Sequence, residues 1–123
     1  MKRVLIVEDN ENNMELISFI LEANDYETIQ AVDGLSGVEM ALTQNPDFVI
    51  LDIQLPDIDG LEVLKRIRAS EEGSTVPVIA MTSYAMAGDR ERLLEAGCNG
   101  YIEKPIDPER VIAQIEAVLA SIG

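Results

Sequence analysis

Glu8 and Asp9 follow the apolar run Val4-Leu5-Ile6-Val7, and Asp52 follows Phe48-Val49-Ile50-Leu51. Thr82 and Ser83 follow Val78-Ile79-Ala80-Met81, and Lys104 comes shortly after Tyr101-Ile102. Brought together, these groups suit phosphate chemistry. Three close carboxylates cannot all stay ionised unless a cation joins them. The sequence has no His and one Cys, so the ligands of that cation would all be oxygen. Such a donor set suits Mg²⁺, which takes one or two carboxylates, keeps several waters and assists phosphate chemistry. A metal-flanked carboxylate can attack phosphorus and form an aspartyl phosphate. Lys104 would balance charge on the transferred oxygens, and Thr82 would hydrogen-bond one of them.

Singly, each residue has a plainer reading. Glu8-Asp9 could cap a helix and complement its dipole. Asp52 could be a turn residue, Thr82 a strand-end hydroxyl and Lys104 a solvated lysine before a helix. The pattern carries weight because all of them fall at strand ends on one edge.

The elements that would position them alternate along the chain. Val4–Val7 reads as a strand buried on both faces. Met14, Leu16, Ile17, Ile20 and Leu21 then recur at helical spacing. Thr28–Val32 is a weaker strand, expected near an edge. Asp33-Gly34 is a turn, and a second helical face runs through Leu35, Val38, Ala41 and Leu42 until Asn45-Pro46 stops it. Phe48–Leu51 is a strand ending at Asp52. Pro56 and Gly60 bracket a loop before a third helix marked by Leu61, Leu64 and Ile67. Val78–Met81 is a strand ending at Thr82. A fourth helix is expected from about Gly88 to Ala96, with Gly97 as its stop. Tyr101-Ile102 is a short fifth strand. Asp107-Pro108 reads as an N-cap with proline at the first helical position, and Val111, Ile112, Ile115, Val118 and Leu119 carry the last helix. Such alternation, with continuous apolar strands, predicts an α/β fold: a five-stranded parallel sheet with helices on both faces. Ligands bind beyond the carboxyl ends of such strands, where the polar groups above are expected to meet.

The totals narrow the function. The 123 residues make one domain, 1–123, and 47% hydrophobic content supplies a real core rather than a disordered acidic tail. A net charge of −14 repels phosphate backbones and anionic lipid, so neither nucleic acid nor membrane is expected as a partner. Glu8 and Asp9 cut the first apolar run far too short for a signal peptide, and no run approaches a membrane span. A cytoplasmic protein is expected. Without His, no metal–imidazole site, Ser-His couple or phosphohistidine can form on this chain. Cys98 reads as a small buried hydrophobe.

Val7-Glu8-Asp9-Asn10, Leu51-Asp52-Ile53-Gln54-Leu55-Pro56, Met81-Thr82-Ser83 and Lys104-Pro105 together resemble the response-regulator receiver domain of two-component signalling. The resemblance covers essentially the whole chain. Asp9-Asn10, Asn13, Ala85-Met86 and Gly97-Cys98 look most like single-domain receivers and receivers of hybrid kinases. It implies a (βα)5 flavodoxin-like fold in three layers, with strand order 2-1-3-4-5. It also implies a role for each matching residue. Asp52 corresponds to the phosphoacceptor. Asp9 would ligate Mg²⁺ directly, Glu8 mostly through water, and the Gln54 backbone carbonyl would be the third protein ligand. Mn²⁺ would be able to stand in for Mg²⁺. Thr82 and Tyr101 correspond to the switch pair, Lys104 to the family's lysine, and Pro105 to a proline after a cis peptide bond.

The function implied is a phosphoacceptor signalling protein, not a turnover enzyme. The donor would be a histidine kinase or a histidine phosphotransfer protein, docking on the first helix. Output to a downstream protein would run through the fourth helix, fifth strand and fifth helix, with the chain a monomer or a weak phosphorylation-dependent dimer. Arg90, Arg92 and Arg110 are candidate contacts there, against the commoner reading of a solvated basic face. Met14 is either docking face or core, and helical spacing favours core. Gln54 and Tyr84 would flank the phosphoryl group, with Tyr84 shielding it from water or simply lying on the surface.

Three other readings compete. A haloacid-dehalogenase-like phosphohydrolase also uses a strand-end aspartate and Mg²⁺. It usually carries a second acid two residues later, where this chain has Gln54. A flavin carrier would want a phosphate-cradling loop after the first strand, where Glu8-Asp9 repels phosphate. A phosphorylation-independent scaffold of the same fold would not need the acidic pair, Asp52, Thr82 and Lys104 together.

Overall fold

The fold is described from a computed structural model, covering residues 2–83 and 87–122, without the side chains of 87–90. Five strands alternate with five helices: β1 (Lys2–Val7), α1 (Glu11–Ala23), β2 (Tyr26–Ala31), α2 (Gly34–Thr43), β3 (Phe48–Asp52), α3 (Gly60–Ala69), β4 (Val78–Thr82), α4 (Ala87–Glu95), β5 (Gly100–Glu103) and α5 (Val111–Ile122). All strand pairs are parallel, in the order β2-β1-β3-β4-β5. The α/β architecture and strand order are those expected, and β2 does lie at an edge.

The strands read as unbroken apolar runs because both sheet faces are covered. Val4 and Ile6 of β1, Phe48 and Ile50 of β3, and Ile79 and Met81 of β4 pack against Met14, Ile17, Ile20 and Leu21 of α1 and Val111 and Ile115 of α5. The intervening residues, Leu5, Val7, Val49, Leu51, Val78 and Ala80, point the other way. They meet Ala41 of α2, Val63, Leu64 and Ile67 of α3, and Leu93 of α4. Period-two alternation thus feeds two separate cores. Met14 is core, 6% exposed, as its spacing favoured. Cys98 is buried as well, and burial pushes its thiol pKa up, which disfavours the nucleophilic thiolate.

Two helix starts bear on the sequence reading. Asn10, not Glu8 or Asp9, caps α1: its side-chain oxygen accepts from the Asn13 N–H at 3.0 Å. The acidic pair is therefore not used as the cap. At the other end of the chain, regular helix begins at Val111 rather than Pro108. Asp107 does cap, but it caps a single preceding turn. Its carboxylate accepts from the Glu109 N–H at 3.0 Å and its carbonyl from Arg110 and Val111 at 3.0 and 2.9 Å. Helix α4 ends at Glu95, and Gly97, the expected stop, follows with a φ of 110°, in the region open to glycine. Arg90's side chain and all of Tyr84 lie outside the described residues.

Candidate functional site

The strand register assembles the site. Val7 pairs with Leu51, so the next residues, Glu8 and Asp52, emerge side by side. Asp52 pairs with Met81, and Thr82 with Glu103. The Lys104 N–H then continues the ladder onto the Thr82 carbonyl at 2.9 Å. Glu8, Asp52 and Lys104 share the strand parity of Ile6, Ile50 and Ile102, which face α1 and α5. Thr82 shares the parity of Val78 and Ala80, and Tyr101 packs on that same opposite face.

Glu8, Asp9 and Asp52 each offer a carboxylate oxygen, and these lie within 4.8 Å of one another. Glu8 and Asp52 are each only 3% exposed, whereas Asp9 stands open to solvent. Lys104 Nζ reaches Glu8 Oε1 at 2.9 Å and Asp52 Oδ1 at 3.2 Å. One ammonium thus faces two buried carboxylates, leaving a surplus negative charge. Burial pushes the Asp52 carboxyl up to about 7, and Glu8 beside it adds to the rise. Glu8 moves the other way. Burial opposes its ionisation, but hydrogen bonds with Asp52, Lys104 and the Asn10 N–H outweigh that and lower its pKa. The Lys104 pKa is raised, its two carboxylate partners outweighing burial.

The connection after β3 is tightly closed. The Gln54 N–H donates to Asp52 Oδ1 at 3.1 Å, and the Gly60 N–H to the Ile53 carbonyl at 2.8 Å. A Cβ at Gly60 would lie 2.5 Å from Ile53 Cα, so only glycine lets α3 begin there. The Gln54 side chain is exposed, with its backbone beside Asp52. Thr82 is buried at the end of β4, and Tyr101 is half-buried in β5. The Lys104–Pro105 peptide is cis.

Residues 4–116 match the response regulator receiver domain. The chain belongs to that family. This receiver is 48% identical to the polar-differentiation response regulator DivK of Brucella ovis, over 96% of each chain. It is 47% identical to DivK of Brucella anthropi over the same shares. Its fold superposes on the receiver domain of a sensor histidine kinase of Pseudomonas aeruginosa with a TM-score of 0.88. That pair is 35% identical, with 97% of this chain and 98% of that one covered. The Pseudomonas domain holds a magnesium ion in its active-site cleft. Chemotaxis protein CheY4 of Vibrio cholerae gives a TM-score of 0.91 at 25% identity, covering 96% of the receiver and 98% of its own chain. Receivers are phosphoacceptor signalling domains that bind Mg²⁺ in an acidic pocket and work with histidine kinases and downstream targets. Among the described residues, no helix of the receiver is long and apolar enough to cross a membrane.

Sequence reading missed two residues. Arg68 looks like one more surface base in the last turn of α3, yet its guanidinium holds three backbone carbonyls in two neighbouring segments, those that lead into β4 and β5. Asp57 reads as loop, yet its carboxylate spans to α2. Both partner sets are remote in sequence, and no local spacing announces them.

Proposed function

We propose that Asp52 is the phosphoryl acceptor of this receiver and that Mg²⁺ is its cofactor. The observation that carries this reading is the buried Asp52 carboxylate, 3.2 Å from Lys104 Nζ and clustered with Glu8 and Asp9. All-oxygen donors with surplus negative charge fit Mg²⁺. Asp9, Asp52 and the Gln54 carbonyl would hold the ion, with Glu8 acting mostly through water. Bound there, Mg²⁺ supplies positive charge to the acceptor and to the incoming phosphoryl oxygens.

The chain's own residues do the rest. A carboxylate oxygen of Asp52 forms a bond to phosphorus as the P–N bond of a phosphohistidine breaks. The donor imidazole leaves and takes up a proton, and the phosphoryl group stays as an acyl phosphate. Lys104 is positioned to leave Asp52 and Glu8 for a phosphoryl oxygen, and the Thr82 hydroxyl to hydrogen-bond another. Thr82 and Tyr101, on one sheet face, then bias the α4–β5–α5 surface toward its partner-binding form. The donor is a histidine kinase or histidine phosphotransfer protein. It docks on α1, where Phe19 is 74% exposed. The chain is a phosphoacceptor rather than a turnover enzyme, signalling to a downstream protein.

Incubation with acetyl phosphate and Mg²⁺ tests this by intact mass. The native protein gains one phosphoryl group; EDTA or Asp52→Asn abolishes the gain. Equal labelling of Asp52→Asn, or no labelling from either acetyl phosphate or a phosphorylated histidine protein, would overturn the assignment.

A further inference from the structure

Residues 53–59, between β3 and α3, carry Gln54 beside Asp52. The segment is fixed at its start by the Ile53 N–H on the Met81 carbonyl at 3.2 Å. It is fixed at its end by Asp59, which caps α3 through the Glu62 N–H at 2.9 Å. Its middle is held from another element. Asp57 Oδ1 accepts from the Gly34 N–H at 2.8 Å, and Oδ2 from the Leu35 N–H at 2.9 Å.

Helix α2 already has a cap of its own. Asp33 accepts from the Ser36 N–H at 2.8 Å. Two carboxylates therefore satisfy three consecutive N–H groups at one helix start. Only one of them comes from the loop at the site. Gly34 is buried, and Ile58 and Val63 sit over it so closely that a Cβ would lie 2.6 Å and 2.9 Å from them. The loop and the helix start are thus packed together as well as hydrogen-bonded. The Asp57 carboxyl is held down at about 2, the N–H donors outweighing desolvation, so this strap stays charged at any ordinary pH.

We propose that Asp57 is a positioning residue for the metal site. Its bidentate hold on α2 fixes the loop that presents the Gln54 carbonyl, and so sets Mg²⁺ affinity. This rests on the reading of that carbonyl as a ligand. A ligand displaced by even part of an ångström loses affinity, and supports behind the ligands typically matter by about tenfold or more.

The test is Mg²⁺ titration by calorimetry, with each variant's fold checked by circular dichroism at the same temperature. Asp33→Ala is the matched control: it removes one charge and one cap from the same helix. Asp57→Ala should weaken Mg²⁺ binding about tenfold, and Asp57→Asn, keeping one acceptor oxygen, by less. Asp33→Ala should lower the melting temperature but leave Mg²⁺ affinity within about twofold of native. Native affinity in both Asp57 variants would overturn the proposal, as would equal weakening by Asp33→Ala. Absence of Mg²⁺ binding in the native protein, or undiminished binding in Asp52→Asn, would instead sink the metal-site reading and the proposal with it.

Discussion

In EDTA at pH 8, Asp52→Asn melts about 6 °C above the native protein, and the difference closes only near about pH 4. The cause is the surplus charge. Lys104 can neutralise one of the two buried carboxylates it touches, and asparagine removes the other while Lys104 keeps Glu8. The folded-state pKa of Asp52, about 7, lies above the value near 4 of an unfolded chain. Between those values the folded protein binds more protons, so this contribution to stability is full below about pH 4 and is lost as pH rises through about 7. A rise of about three units is worth about 4 kcal/mol if wholly expressed. The opposite shift of Glu8 and the open mouth around Asp9 reduce that to about 2 kcal/mol. Saturating Mg²⁺ should stabilise the native protein and not Asp52→Asn. Calorimetric melting at the two pH values checks this, and a less stable Asp52→Asn at pH 8 would contradict it. A stability cost in the metal-free fold is what the proposed acceptor role would entail.

Arg68→Ala should lower stability by about 3 kcal/mol, or roughly 10 °C in melting temperature. Arg68 Nε and Nη2 both donate to the Gly97 carbonyl, at 3.0 and 2.9 Å. Nη1 donates to Gly73 and Val76 carbonyls at 2.8 and 2.6 Å, and Nη2 also to Asn99 Oδ1 at 3.0 Å. Asn99 Oδ1 in turn receives the Val78 N–H at 2.8 Å. One planar fork therefore joins the end of α3 to the segments that start β4 and β5. Lysine lacks that fork, so Arg68→Lys should recover only a minor part of the loss. These contacts lie at the opposite end of the strands from Asp52. Phosphoryl uptake by Arg68→Ala, measured below its melting temperature, should therefore match native. Urea denaturation supplies the stability difference; a change under about 1 kcal/mol would refute the role.

What was legible in the sequence was whatever repeats locally. The runs Val4–Val7, Phe48–Leu51 and Val78–Met81 declare buried parallel strands, and the polar residue after each run falls on the functional edge. Register then does the assembling, and register follows from the same runs. What was not legible depends on distant partners. Arg68 and Asp57 look like ordinary surface charges until the fold brings Gly97 and Gly34 to them. The Asp107-Pro108 pair reads as the start of a helix because its local chemistry is that of a cap; the separate turn it caps shows only in three dimensions. Asn10 took the capping role that Glu8 or Asp9 could have filled, which left both acids to the cluster with Asp52.

The most direct measurement locates the phosphoryl group itself. Borohydride reduces an acyl phosphate on aspartate to homoserine, so labelled protein can be reduced, digested and sequenced by mass spectrometry. Homoserine is expected at position 52, only when Mg²⁺ and a phosphoryl donor were both present. Homoserine at Asp9 or another aspartate, or a phosphorylated protein with Asp52 unreduced, would contradict the assignment of Asp52.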